Sequence, residues 1–224
     1  TSGNVQLDHL LGAQVHLLPP GTDRDGALRR MASALKKSGR TPYVIPSGGS
    51  NATGALGYVA CAEELEAQAD TDGERIDYLV HATGSGGTQA GLIAGFQAIA
   101  SQTGVLGVDI TAHAADLRGK VSAIAKDTLA RLGGGDRFSK DALQIVEGYA
   151  GGAYGMPTEE MRAAVRLVAR LEGLILDPVY AGKAMAGLID LVAKGRFKDD
   201  QTVVFLHTGG MPGLFAYNDY FQEK

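Results

Sequence analysis

The chain has 224 residues, 45% of them hydrophobic and 21% charged, and a net charge of −4. That length suits one large globular domain or one and a half small ones, and the charge gives no basis for binding nucleic acid or an anionic membrane. The single cysteine, Cys61, excludes an internal disulfide. No apolar run reaches the roughly 20 residues of a membrane span. No secretory leader is evident at the start, and a reducing, cytoplasmic setting is the expectation.

The start, Thr1 to Leu11, reads as a loop running into a helix. A short strand is expected over Gln14–Leu18, closed by Pro19-Pro20, and an amphipathic helix over Asp25–Lys37 with Leu28, Met31, Ala32 and Leu35 on one stripe. Thr41–Ile45 reads as a strand, Ser47 to Asn51 as a loop, and Thr53–Gln68 as a helix. Then come a strand over Ile76–Ala82, a loop over Gly84–Thr88 and a helix over Gln89–Ala100. Val105–Ile110 is the next strand and Leu117–Leu132 the next helix. Helices are expected over Glu159–Leu171, with arginines on the polar side, and over Ala184–Ala193. A last strand, Thr202–His207, enters the turn Thr208-Gly209-Gly210. Strands alternating with helices predict an α/β fold with a mostly parallel sheet.

Glycine is the unusual residue, at 32 copies in short clusters such as Gly48-Gly49, Gly84 to Gly87, Gly133 to Gly135, Gly151-Gly152 and Gly209-Gly210. Backbone unhindered by side chains can turn sharply or approach a ligand closely. The sharpest local signal is Val80 to Gly91, an apolar strand that ends in Gly84-Ser85-Gly86-Gly87-Thr88 and opens a helix. Backbone N–H groups there converge at the positive end of a helix dipole, an arrangement that binds phosphate. Ser85 and Thr88 add hydroxyl donors. The loop lacks the Lys-Ser/Thr pair of a P-loop and the glycine spacing of a dinucleotide site. A plain capped turn is the competing reading. Three further loops carry side chains that could do chemistry. They are Asp177-Pro178-Val179-Tyr180, His207-Thr208-Gly209-Gly210 and Tyr154-Gly155-Met156-Pro157. From local pattern alone each tyrosine could equally be a packing residue. No residue set has the spacing of a metal site; His81 and His207 each end a strand, where a histidine could sit near the site or be purely structural.

In this order, the segment Tyr43 to Tyr58, the Gly84 to Gly91 loop, Tyr154 to Pro157, Glu172 to Gly187 and His207 to Gly210 resemble one family. It is that of the pyridoxal-phosphate (PLP) lyases of tryptophan-synthase-β-like fold, and the D-cysteine desulfhydrases, L-cysteate sulfo-lyases and 1-aminocyclopropane-1-carboxylate deaminases are its most similar members. The resemblance covers essentially the whole chain and implies a three-layer α/β/α fold. It also implies that Gly84, Ser85, Gly86, Gly87 and Thr88 cradle the cofactor phosphate. By the same resemblance, Tyr180 is expected to lie against the cofactor ring, Tyr154 to be a second active-site tyrosine and Thr208 to stand beside the pyridine nitrogen. Ser50 and Asn51 are expected to shape their loop and cap a helix.

Ala181 and Thr208 depart from the deaminase pattern, which has glutamate and leucine at those places. A neutral partner makes the cofactor a weaker electron sink, which suits β-elimination of a good leaving group better than opening a cyclopropane. His81, Ala82-Thr83-Gly84 and Gln89 look more like a cysteate sulfo-lyase than a desulfhydrase. The expected function is therefore a PLP-dependent lyase giving pyruvate, ammonia, and sulfite from L-cysteate or sulfide from D-cysteine. Deaminase activity and a non-catalytic PLP- or phosphate-binding remnant are the alternatives. The resemblance implies a small amino-acid substrate and a homodimer.

In this family the lysine that holds the cofactor lies in a Gly-Gly-Asn-Lys segment, and no such segment occurs in these 224 residues. The expectation is a chain without the front of the enzyme and inactive by itself. Residues 1–45 would close a small domain and residues 46–224 form most of the large PLP-binding domain. Lys183 is read as a structural or surface lysine.

Overall fold

Two strands of mostly apolar residues form the centre of the computed structural model, which describes residues 3–134 and 137–222. Strand β1 (Tyr78–Thr83) runs parallel to β2 (Gly104–Asp109), with Leu79 beside Val105 and Val80 beside Leu106. Two shorter strands, β3 (Gln144–Val146) and β4 (Val203–Phe205), flank them in the order β3-β2-β1-β4, and every pairing is parallel. Parallel neighbours need long crossovers, and helices supply them. Helix α4 (Gly87–Ala98) links β1 to β2, and α5 (Ala114–Arg131) links β2 to β3. Helices α6 (Glu159–Glu172) and α7 (Ala181–Ala193) link β3 to β4.

Side chains alternate across the sheet, so each face has its own core. Leu79 and Val105 point to one side and pack with Ile93, Phe96, Leu117 and Val121 of α4 and α5. Val80, Leu106 and Val108 point to the other and pack with Ala184 of α7. The result is the expected helix–sheet–helix sandwich. The chain adds β2 and β3 on one side of β1, then returns to place β4 on the other. The order therefore reverses between β1 and β4, and the loops at the carboxyl ends of those strands border a crevice.

Helix α3 (Ala52–Asp72) begins at Asn51, whose side-chain oxygen accepts from the Gly54 amide at 2.8 Å, as the sequence predicts. It lies unusually close to α4. A Cβ on Gly91 would fall 2.3 Å from the Ala55 carbonyl oxygen, and one on Gly95 2.7 Å from the Ala62 Cβ. Helix α2 (Arg24–Lys37) is capped by Asp23, while α1 (Gly3–Leu10) and α8 (Asn218–Phe221) are short. Gly3 of α1 packs against Pro212.

The two strands expected before residue 46 do not form. Gln14–Leu18 and Thr41–Ile45 are without regular structure, and Leu17, Tyr43 and Ile45 are exposed. Alternating apolar residues make a strand only where a neighbouring strand takes up their backbone groups, and these segments have no ladder partner among the described residues. The short β3 is a strand that the sequence reading omits. Helix α7 starts three residues before the expected Ala184 because Asp177 caps it from the preceding turn. Thr1, and Gly135 at the end of the Gly133 to Gly135 cluster, lie outside the described residues.

Candidate active site

The crevice between β1 and β4 is a pocket lined by Ala82, Thr83, Gly84, Ser85, Gly86 and Thr88 on one side and by Thr208, Gly209 and Gly210 on the other. Tyr58 of α3 and Tyr180 complete it. The turn after β1 delivers its glycines to the start of α4, whose first-turn N–H groups have no partner within the helix. Gly86 adopts φ 90°, a left-handed conformation that favours glycine.

Ser50 reaches this turn from the loop before α3. Its hydroxyl donates to the Ser85 hydroxyl at 2.7 Å and accepts from the Gly87 amide at 3.2 Å. The packing there leaves no spare volume. A Cβ on Gly87 would fall 2.7 Å from the Ser50 Oγ, and one on Gly48 2.4 Å from the Ser85 Oγ. Ser50 thus does more than shape its own loop: it ties the 47–51 loop to the glycine turn.

Asp177 organises the opposite wall. Its carboxylate accepts from the amides of Val179 and Tyr180, both at 2.8 Å, and of Ala181 at 2.7 Å. The Gly182 amide donates to its backbone carbonyl at 2.8 Å. These bonds fix the turn that aims Tyr180 into the pocket. On the β4 side, His207 accepts from the Gly209 amide through Nδ1 at 3.0 Å and reaches the Ile175 carbonyl through Nε2 at 3.1 Å. Both bonds are met by the tautomer that carries its proton on Nε2. His207 is therefore an anchor for the Thr208 turn and does not face the pocket's chemistry.

Tyr154 comes from the loop between β3 and α6 and hydrogen-bonds hydroxyl to hydroxyl with Tyr180. The rings stand nearly edge-on, with centroids 6.0 Å apart. Burial, followed by the bond to Tyr180, pushes the Tyr154 pKa well above the ordinary tyrosine value. The pair borders a second cleft, adjoining the first across Ser85, which Arg24, Lys120, Ser47 and Thr111 also line.

Thr83 Oγ1, which lines the pocket, is buried without a partner among the described residues, as are His81 Nε2 and Gln89 Oε1 in the interior near the same turn. His81 is wholly enclosed, and burial drives its pKa down to about 4. Lys183 is fully buried and donates from Nζ to the Ala150 carbonyl at 2.6 Å, so the surface option for it falls and the structural one stands. Of the predicted cofactor residues, Gly84, Ser85, Gly86, Thr88, Tyr180 and Thr208 line one pocket; Gly87 sits behind it against Ser50, and Tyr154 lies at its edge. Local sequence pattern does not single out Tyr58, Thr83 or Ser50 as cofactor residues. Tyr58 falls seven positions after the Asn51 cap, two turns along the same helix face, and it closes the Tyr43 to Tyr58 segment that carries the family resemblance.

A sequence profile described as "Pyridoxal-phosphate dependent enzyme" matches residues 1–209, and the chain belongs to that family. It is 44% identical over 218 residues to a D-cysteine desulfhydrase of Serratia proteamaculans, covering 97% of this chain and 65% of the relative. It is 42% identical over 225 residues to a 1-aminocyclopropane-1-carboxylate deaminase of Mesorhizobium japonicum, covering 99% of this chain and 66% of that one. The solved structure of an ACC deaminase homologue superposes with a TM-score of 0.88 at 34% identity, over 98% of this chain and 66% of the other. The chain thus spans just under two thirds of the length of these relatives, and its sheet and helices have their tryptophan-synthase-β-like arrangement.

Pyridoxal phosphate is the cofactor of this family. The pocket fits its phosphate end: a tight glycine turn at a helix N-terminus, two serine hydroxyls and a threonine hydroxyl converge there. The buried, unpartnered Thr83 Oγ1 lies in the same lining and offers one more polar contact.

Proposed function

We propose that the protein containing this chain is a PLP-dependent lyase that β-eliminates a sulfur group from a cysteine-type amino acid. Residues 84–88 would hold the cofactor phosphate and Thr208 would face its pyridine nitrogen. Residues 1–45 and 46–224 are proposed as the end of a small domain and the body of the cofactor domain. Electron withdrawal from the substrate's α-carbon is the chemistry the cofactor supplies when bound.

The reading is carried by the hydroxyl pair of Tyr154 and Tyr180 at the edge of the phosphate pocket. One hydroxyl of such a pair donates to the other, which keeps its own proton free to donate into the cleft. The raised pKa of Tyr154 keeps its hydroxyl protonated, so Tyr154 serves in the pair as a hydrogen-bond donor and does not act as a base. Substrate orientation uses such a donor, and a sulfur group leaving with its electron pair, above all a thiolate, is stabilised by one.

Ala181 and Thr208 favour elimination over cyclopropane opening. The Ala181 methyl is buried, with its amide bound to Asp177, and Thr208 lines the pocket, so neither place offers the pyridine nitrogen a carboxylate. L-cysteate is the preferred substrate. Arg24 and Lys120 line the adjoining cleft from two separate helices beside one carboxylate, Asp25, and this excess of positive charge suits a sulfonate better than a thiol. A homodimer is proposed from the family resemblance alone. The full natural chain should be supplied in turn with L-cysteate, D-cysteine and aminocyclopropane-carboxylate, and sulfite, sulfide, pyruvate and 2-oxobutyrate measured. Sulfite with pyruvate is expected. Sulfide from D-cysteine would move the substrate but keep the chemistry, and 2-oxobutyrate as the main product would overturn the reading.

A further inference from the structure

Tyr154 sits on a loop that has little stiffness of its own. Gly148, Gly151, Gly152 and Gly155 all adopt positive φ, between 73° and 104°, within eight residues. A chain so rich in glycine loses much conformational entropy when ordered, so its position must be set from outside. Tyr149 near its start donates to the Asp190 carboxylate of α7, and among the described residues two side chains bond the carbonyls on either side of Tyr154. The Lys183 ammonium, fully buried, donates to the Ala150 carbonyl at 2.6 Å. The Tyr217 hydroxyl donates to the Gly155 carbonyl at 2.7 Å. Tyr154 lies between those two carbonyls.

The origins of the two donors matter as much as their targets. Lys183 is in the first turn of α7, three residues after Tyr180, and the Asp177 carboxylate fixes that turn. Burying an ammonium costs several kcal/mol unless it is well bonded, which makes its retention here a specific feature. The electrostatic support for Lys183 comes from Asp177 and Asp109, which oppose the effect of burial on its charge. Tyr217 belongs to the helical turn Met211–Tyr217 that follows the Thr208 loop. The Tyr154 loop is thus tied at one end to the element that carries Tyr180 and at the other to the segment leaving β4.

We propose that Lys183 and Tyr217 are positioning residues, which clamp the Tyr154 loop at both ends and so hold the Tyr154 hydroxyl against that of Tyr180. The activity half of this inference rests on the lyase reading; the mechanical half does not.

The test uses Lys183→Met, Tyr217→Phe and Tyr154→Phe in the full natural chain. Hydrogen exchange of the peptide spanning residues 148–156 should quicken about tenfold in Lys183→Met, and similarly in Tyr217→Phe, while α3 and α4 keep their wild-type protection. Turnover should fall about tenfold in each with KM within about twofold, as misplacement of a donor predicts. Lys183→Met placed on Tyr154→Phe should cost nothing further, since its effect passes through Tyr154. Unchanged exchange in the 148–156 peptide, or losses that multiply in the double variant, would overturn the proposal. If Lys183→Met fails to fold, Tyr217→Phe alone decides by the same two readouts. A wild-type protein that turns over none of the three amino acids sinks the lyase reading, and the exchange data then judge the clamp unaided.

Discussion

Gly210 lies so close to Asp177 that a Cβ on it would come within 2.7 Å of the carboxyl carbon, although one residue follows β4 and the other precedes α7. The contact sets the Thr208 turn directly against the turn that carries Tyr180. Asp177 is buried and its three amide donors come from consecutive residues, so its removal leaves those N–H groups without acceptors. Asp177→Ala should lower the stability by about 2–4 kcal/mol, read from urea unfolding, and Asp177→Asn by less because one acceptor oxygen remains. Equal, small effects of both would show that the neighbouring packing holds these turns without the carboxylate.

The tyrosine pair makes a second prediction. Tyr180→Phe removes one hydroxyl from the pair but keeps the ring, so turnover should drop about 100-fold while cofactor affinity stays near the wild-type value. Steady-state kinetics beside a cofactor titration separates the two. Turnover that survives intact would reduce Tyr180 to a packing residue.

If L-cysteate is the substrate, as proposed, Arg24 would help to select the leaving group. Its guanidinium stands near enough to Tyr154 to act on that hydroxyl's charge, and it lines the same cleft as Lys120. Arg24→Ala should raise KM for L-cysteate about tenfold and leave KM for D-cysteine nearly unchanged, since only the first brings a second anion. A parallel rise for both substrates would place Arg24 on a group they share.

His81 predicts how stability depends on pH. Burial lowers its pKa to about 4 in the folded chain, against an ordinary value of 6.5 when unfolded. The unfolded chain therefore takes up this proton first as pH falls. The stability that His81 contributes is complete above pH 6.5 and is lost progressively between 6.5 and about 4, to a total of about 3 kcal/mol. Denaturation midpoints across that range should fall for the wild type and flatten for His81→Asn. A wild-type curve level from pH 7 to 4 would show that His81 finds a partner for its charge.

Much of the architecture is legible in the residues. The stripe of Leu28, Met31, Ala32 and Leu35 places α2 within a residue of its observed bounds. Buried strands leave a clear mark as well: β1 and β2 fall within two residues of where their apolar runs put them. Gln14–Leu18 and Thr41–Ile45 mislead because apolar alternation reports a preference for pairing and cannot supply the neighbouring strand. β3 goes unseen because three residues are too few to show a period. At the site, the glycine turn announces itself through local composition. The meeting of Tyr154 with Tyr180 and of Ser50 with Ser85 depends on how separate segments pack, which no local pattern encodes. Lys183 shows the same limit from the other side, since a lysine's composition-level expectation is solvent and the fold encloses it completely.

The glycine-to-backbone seam between α3 and α4 has a thermodynamic corollary. Gly91 and Gly95 bring the two helices nearly to backbone contact, and Ser50 bonds across their starts, so the proposed phosphate cradle is assembled from two segments that are adjacent only in the folded state. An anion seated there is bound by the native chain and by almost none of the unfolded ensemble. Its occupancy is then linked to melting: each tenfold excess of ligand over its dissociation constant should add about 1.4 kcal/mol to stability. The denaturation temperature of this protein becomes a gauge of how full its cradle is.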